Sequence, residues 1–92
     1  MSNDLEELPI PDGVFKAEQK AEIARIWLAD GDQVAVISPR LWDDPGVWGL
    51  MLVDVARHVA QAYAAQGVPS DYALQKIREA FDAEWFHPTE GE

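Results

Sequence analysis

The chain has 92 residues, enough for one domain, and its 48% hydrophobic and 26% charged content is ordinary for a globular protein. Its net charge of −10, from 17 acidic and 7 basic residues, repels phosphate backbones and anionic membranes, which argues against nucleic-acid or membrane binding. Cysteine is absent, which excludes disulfides and thiolate chemistry, and no apolar run reaches the roughly 18 residues of a membrane span.

The N-terminal segment is acidic where a signal peptide would be basic, so we expect a cytoplasmic protein. We expect residues 1–7 to form a mobile tail and the two prolines at positions 9 and 11 to keep the next segment extended. Residues 14–21 are rich in helix formers, which predicts one or two helical turns with Asp12 as the start signal.

A β-hairpin is predicted around Asp30 and Gly31, which lie between two runs rich in β-branched and aromatic residues, 22–29 and 33–38. A two-residue loop would pair Leu28 with Gln33 and mix polar with apolar residues on each face. A three-residue loop with a glycine bulge sorts the two faces better, so we expect the longer loop.

The longer loop places residues 24, 26, 28, 34 and 36 on one face of the hairpin. It places Ile23, Arg25, Trp27 and Ile37 on the other face. Large aromatic residues and arginine are favoured at interfaces, so these four residues form a candidate interface.

Two amphipathic helices follow, predicted over about Pro45–Gln66 and Asp71–Phe86. Either Asp43 or Asp44 caps the first helix, Gly67 ends it, and Ser70 caps the second. The apolar stripe of each helix runs at three- and four-residue steps and includes the packing residues Trp48 and Trp85. The first stripe is Trp48, Met51, Leu52, Val55, Val59, Ala62 and Tyr63, and the second is Leu74, Ile77, Phe81 and Trp85, with Ala73 and Ala80 beside it.

The expected fold is a single two-layer α+β domain over residues 1–92, a β-hairpin followed by an antiparallel helical hairpin (ββαα) that packs on one sheet face. A lone two-stranded sheet is marginal in water, and its second face still carries Ile23, Trp27 and Ile37. Either the N-terminal segment covers that face, or a second copy joins it in a homodimer, which we favour.

One polar cluster could carry chemistry: Asp54, Arg57 and His58 lie within one helical turn of each other. An aspartate that orients a histidine is a common way to build a general base, but an exposed ion-pair cluster has the same spacing. Asp54 and His58 supply only two possible metal ligands, and the other histidine is His87, so we expect neither a metal nor a cofactor. No catalytic residue is assigned.

Residues 42–50 (WDDPGVWGL) and 54–60 (DVARHVA) resemble a small family known as domain of unknown function 5076, found mainly in alphaproteobacteria. The Leu8–Pro11 opening and the hairpin sequence 27–31 (WLADG) fit this family as well. The resemblance implies a bacterial cytoplasmic α+β protein and carries no activity, cofactor or catalytic residue.

The leading hypothesis is a small acidic protein–protein interaction module, homodimeric and more plausibly not an enzyme. The alternative is a small-molecule binder or minor enzyme that uses Asp54, Arg57 and His58. A mimic of nucleic acid is a weaker third idea, because the carboxylates are spread over all segments instead of forming one row.

Overall fold

The computed structural model describes residues 7–89, so the expected mobile tail, apart from Glu7, lies outside the described residues. The chain divides into two compact units, Met1–Leu41 and Trp42–Glu92. The elements follow the predicted order, two antiparallel strands and then two helices, which confirms the ββαα, α+β fold. That residues 1–92 form one single domain stays a prediction.

The first unit begins with a short helix, α1, at Asp12–Lys16. Its start at Asp12 agrees with the predicted start signal, and it amounts to little more than one turn. The Val14 N–H donates to the Pro11 carbonyl, and the Lys20 ammonium donates to the Phe15 carbonyl at 2.9 Å, just beyond the helix end. This short helix leads into the hairpin.

The hairpin consists of β1 (Ala24–Ala29) and β2 (Asp32–Ile37), joined by Asp30 and Gly31 alone. Both loop residues have positive φ, 53° at Asp30 and 86° at Gly31, the pattern of a type I′ turn. Leu28 therefore pairs with Gln33, and the expected three-residue loop is wrong. A type I′ turn has the right-handed twist of the flanking strands, and this local preference decides the register more strongly than the sorting of the faces does.

The shorter loop changes which residues share a face, because directly paired residues lie on the same side of an antiparallel sheet. One surface, the Ile26 face, is apolar except for one glutamine; it consists of Ala24, Ile26, Leu28, Gln33, Ala35 and Ile37. The other, the Trp27 face, carries Arg25, Trp27, Ala29, Asp32, Val34 and Val36. Ile37 thus lies on the Ile26 face, whereas the candidate interface residues Arg25 and Trp27 lie on the other face, contrary to the sequence-based assignment.

Replacing Gly31 by alanine tests the turn. Gly31 has a φ of 86° that an L-residue adopts only at a cost, so we expect the Gly31→Ala variant to lose about 1 kcal/mol of unfolding free energy. Urea denaturation measures this loss. Asp30→Asn is the matched control and should be close to neutral, since asparagine suits the same turn position; equal losses in both variants would contradict the assigned geometry.

The second unit is a helical hairpin of α2 (Gly46–Ala64) and α3 (Ser70–Phe86). Pro45 holds the cap position of α2 without a side-chain bond. Of the two candidate aspartates, Asp44 lies directly before it and accepts a hydrogen bond from the Gly46 N–H through Oδ1 at 2.8 Å. Ser70 is instead the first residue of α3, and Pro69 holds the cap position without a side-chain bond, so the expected serine cap is wrong.

Gly67 terminates α2 as predicted. Its φ is 96°, its N–H donates to the Ala64 carbonyl, and the Val68 N–H donates to the Tyr63 carbonyl, both at 3.1 Å. These two hydrogen bonds form a Schellman motif, which satisfies carbonyl groups left open at the helix end. The following residues bring α3 back against α2.

The buried residues of the helical hairpin are small. Ala60 is 2% exposed and Ala73 is 6% exposed, and they are the buried residues in the described part of the chain. The predicted burial of the α2 stripe is wrong for four of its members, since Leu52, Val55, Val59 and Tyr63 are exposed. The α2 helix is apolar on so many sides that periodicity cannot single out one face.

Candidate functional site

An apolar groove lies between α2 and α3 and has a volume of about 690 Å³. We call it the α2–α3 groove. Along α3 the exposed fraction rises from 6% at Ala73 to 47% at Phe81 and 69% at Trp85, so the groove opens away from the link between the helices. Its main lining residues come from both helices: Trp48, Leu52, Val53, Ala56, Leu74, Ile77, Phe81, Trp85 and Phe86.

Two aromatic pairs lie at the open end of the helical hairpin. Phe81 and Trp85 stack one helical turn apart, with ring centroids at 5.7 Å and planes at 18°. Trp42 meets Trp48 edge to face at 5.1 Å and 76°. Such pairs favour a defined arrangement beyond simple burial. Trp48 is half-buried as expected of a packing residue, whereas the expected burial of Trp85 is not observed.

Charged residues border the apolar lining. Arg78 Nε donates to both carboxylate oxygens of Asp82, at 3.0 and 2.9 Å. Arg57 also lines the groove and forms no ion pair with another residue of the described range 7–89. Two of the seven basic residues of this acidic chain thus lie at the groove.

The predicted polar cluster is only partly assembled. His58 Nδ1 lies 3.4 Å from Asp54 Oδ2 and 2.8 Å from the Asp54 backbone carbonyl, and both side chains are 71% exposed. Arg57 lines the groove, whereas Asp54 and His58 do not. The Asp54–His58 pair is therefore an exposed i, i+4 side-chain contact on the surface of α2.

The candidate interface on the hairpin is split by the observed register. Arg25 forms a two-point ion pair with Glu22, with both nitrogen–oxygen distances at 3.0 Å, and this hydrogen-bonded carboxylate raises the pKa of the Arg25 guanidinium. Trp27 is half-buried opposite Val34, and Ile23 is half-buried just before β1. Ile37 is exposed on the Ile26 face, away from Arg25 and Trp27.

Glu84 forms hydrogen bonds near the C-terminal end of α3. Its carboxylate accepts hydrogen bonds from the Thr89 hydroxyl at 2.7 Å and from the Thr89 N–H at 2.8 Å. These bonds favour the ionised form and lower the pKa of Glu84. The stabilisation they give is present above the pKa of the unfolded chain and is lost as the pH falls through the folded-state pKa.

Removing the hydroxyl tests this contact. In the Thr89→Val variant we expect the pKa of Glu84 to rise toward its ordinary value. The variant loses the hydrogen bond from the Thr89 hydroxyl, which lowers this pKa more than the bond from the Thr89 N–H does. An NMR titration of the side-chain carboxyl carbon measures the change. Thr89→Ser keeps the hydroxyl and should keep the low pKa; an unchanged titration in the valine variant would show that the bond does not form.

The titratable side chains of residues 7–89 contain no group of three or more that could bind a metal ion. None of the helices in this part of the chain combines the length and the apolar character that a membrane crossing requires.

The model of the family described as "Domain of unknown function (DUF5076)" matches residues 7–89. The chain belongs to this family. The motifs at 42–50 and 54–60 that suggested the family lie within the matched range, so the resemblance is confirmed.

The solved structure of another protein is similar to this chain over nearly its whole length. The match covers 99% of this chain and 94% of the chain in that structure, with a TM-score of 0.77 and 37% identical residues. That protein comes from Rhodopseudomonas palustrus CGA009 and carries the name "putative pyruvate dehydrogenase". No functionally curated protein matches the chain.

The apolar stripe predicted for α3 contains four of the groove residues, Leu74, Ile77, Phe81 and Trp85, but it predicts packing and not a groove. The pattern does not single out Phe86 or Arg78. The sequence signal for a groove is the composition of α2. Of its 19 residues, Asp54 and Arg57 are the acidic and basic ones, apart from His58. A helix that is apolar on nearly all sides needs more cover than one neighbouring helix provides.

Proposed function

We propose that this chain is a protein–protein association module that acts as a homodimer in the cytoplasm. The observation that carries the proposal is the contrast between two buried alanines and many exposed large apolar residues in the described part of the chain. Burial of apolar surface is the dominant favourable contribution to folding, so a chain with this pattern gains stability when another protein surface covers it.

Exposed apolar residues occur on both units. This distribution supports association with another protein surface over the alternative of a single small exposed patch. On the hairpin, Ile26 is 63% exposed, Leu28 80% and Ile37 54%. On the helical unit, Phe81, Trp85 and Phe86 are exposed along the groove. Large exposed apolar residues of this kind are typical of protein interfaces.

The charge of the chain limits the class of partner. A net charge of −10 disfavours nucleic acid and anionic membranes, as the composition predicts. The aromatic lining of the groove supports a protein partner, because aromatic residues are enriched at protein interfaces. The cytoplasmic location in this proposal rests on the cysteine-free, acidic composition.

Sedimentation equilibrium tests the proposal. Across about 1 to 100 μM chain, we expect the measured mass to approach twice that of one chain, because micromolar dissociation constants are common for interfaces of standard size. Circular dichroism on the same samples confirms that the helices are formed. A single-chain mass over the whole range, with full helical signal, would refute the homodimer.

A small-molecule binder or minor enzyme is the second candidate, and Arg57 supports it by lining a groove of ligand size. Asp54 and His58 lie outside that lining, so we expect His58→Ala to change the free energy of unfolding by no more than about 0.5 kcal/mol and to leave self-association intact. Urea denaturation and sedimentation measure these two effects. A large loss of unfolding free energy or of self-association in this variant would instead show that His58 contributes to folding or to the dimer.

A further inference from the structure

We infer that the outer edge of β2 pairs with β2 of a second copy, so that two hairpins form one four-stranded antiparallel sheet. The inference rests on the proposed homodimer and adds the contact through which the two hairpins meet. The residues that form this contact all lie in the first unit, Met1–Leu41. The contact needs no residue of the helical unit.

The hydrogen-bond pattern of the hairpin shows which backbone groups of β2 face outward. The Ser38 N–H donates to the Ile23 carbonyl at 3.0 Å, which makes these two residues a hydrogen-bonded pair. Hydrogen-bonded and non-hydrogen-bonded pairs alternate along an antiparallel ladder. The N–H and C=O groups of Gln33, Ala35 and Ile37 therefore point away from β1, toward the outer edge of the sheet.

The outer edge of β2 has no neighbouring strand in the described part of the chain. Within residues 7–89 the sheet consists of β1 and β2, and the other elements are helices, so the same chain supplies no further strand there. A two-stranded sheet is marginal in water, and three or more strands give independent stability. Residues 33–37 also lack the proline, the charged side chain and the bulge that commonly protect an edge.

The sequence of β2 is suited to pair with itself. An antiparallel pairing centred on Ala35 uses the whole strand and places Gln33 opposite Ile37 and Val34 opposite Val36. In this register the outward backbone groups of one copy meet those of the other in hydrogen-bonded pairs. The two valines form cross-strand pairs of β-branched residues, which stabilise a sheet.

Charge favours this pairing over the alternatives. Continued past the strand ends, the same register brings Asp30 of each copy toward Arg40 of the other. A self-pairing of β1 centred on Ile26 would instead place Glu22 opposite Asp30 at both ends, which is unfavourable. A parallel pairing of two β2 strands would place Asp32 beside Asp32. The antiparallel β2 contact is therefore the self-pairing that opposes no like charges.

Proline substitutions on the two outer edges test the inference. Ala35→Pro removes an N–H that points outward from β2, and Ala24→Pro makes the same change on the outer edge of β1. Neither N–H belongs to the ladder between β1 and β2, so the two variants are matched in their effect on the hairpin. By sedimentation velocity over a dilution series, we expect Ala35→Pro to raise the dimer dissociation constant on the order of 100-fold, and Ala24→Pro to change it by less than about threefold.

Disulfide trapping gives an independent readout, because the natural sequence contains no cysteine. Val34→Cys and Val36→Cys are prepared as separate variants, one of them isotopically labelled, then mixed at equal concentration and oxidised. These two positions lie opposite each other across the contact, with Cα atoms about 4.5 Å apart, whereas identical positions lie diagonally at roughly 7–8 Å. We expect the mixed product to exceed either product of identical chains about tenfold.

Other results overturn the inference in identifiable ways. Dissociation by Ala24→Pro and not by Ala35→Pro would place the contact on the edge of β1. If both proline variants dissociate, the mixed disulfide decides, and its absence refutes the β2 contact. A dimeric natural sequence with neither the Ala35→Pro effect nor the mixed product refutes only this contact, whereas a monomeric natural sequence refutes the homodimer itself.

Discussion

Replacing Phe81 by aspartate should weaken self-association on the order of 100-fold. Phe81 lies in the groove lining, is about half exposed and stacks on Trp85. In the proposed dimer its ring is covered by the partner, so the substitution removes an aromatic contact and places an unpaired carboxylate in an apolar contact. Sedimentation velocity over a dilution series gives the dissociation constant.

Leu50→Asp is the control for this effect. Leu50 is more exposed than Phe81 but lies outside the groove lining, so the same change in charge should alter the dissociation constant by less than about threefold. A conservative Phe81→Leu variant keeps the site apolar and guards against general unfolding. Equal weakening by Leu50→Asp and Phe81→Asp would mean that added charge, and not the groove, governs the association.

Ala60→Leu should lower the free energy of unfolding by about 2 kcal/mol. Ala60 lies in α2 and is the most buried residue in the described part of the chain. Extra methylene and methyl groups at this position force the two helices apart or force the side chain off its preferred rotamer. Chemical denaturation monitored by helical circular dichroism measures the loss.

Ala62 supplies the matched control on the same helix. It is exposed, so Ala62→Leu adds the same atoms without overpacking and should change the unfolding free energy by less than about 0.5 kcal/mol. Similar losses in the two variants would contradict the assigned helix–helix contact. A loss confined to Ala62→Leu would instead place the large-residue stripe at the contact, as the sequence periodicity suggested.

The sequence predicts the elements of this fold well because their boundaries depend on local chemistry. Asp30 and Gly31 mark the hairpin turn, and Gly67 ends α2 through its positive φ. The register is harder, because it depends on a competition between turn geometry and sorting of the faces. The type I′ turn determines the outcome and moves Ile37 to the opposite face from Trp27.

The packing of α2 could not be predicted from periodicity. Its apolar residues surround most of the helix axis, so several stripes fit the pattern equally well. In the structure the buried residue of α2 is Ala60, and none of the large residues of the predicted stripe is buried. Leu52, which stays exposed, lines the groove.

The polar cluster shows the limit of motif spacing as a guide to function. Asp54, Arg57 and His58 have the spacing of a potential acid–base site, and the Asp54–His58 contact does form. Spacing along one helix cannot determine whether the neighbouring surface is concave. Arg57 lies at the groove and the other two do not, so the same five-residue segment contributes to two different surfaces.

Thermal unfolding at increasing protein concentration tests the central claim of association most directly. If the exposed apolar surfaces are covered by a second copy, folding and dimerisation are coupled, and the midpoint temperature should rise steadily from about 1 to 100 μM chain. Helical circular dichroism and tryptophan fluorescence should report the same transition. A midpoint that stays constant over this range, with full helical signal before the transition, would contradict the homodimer.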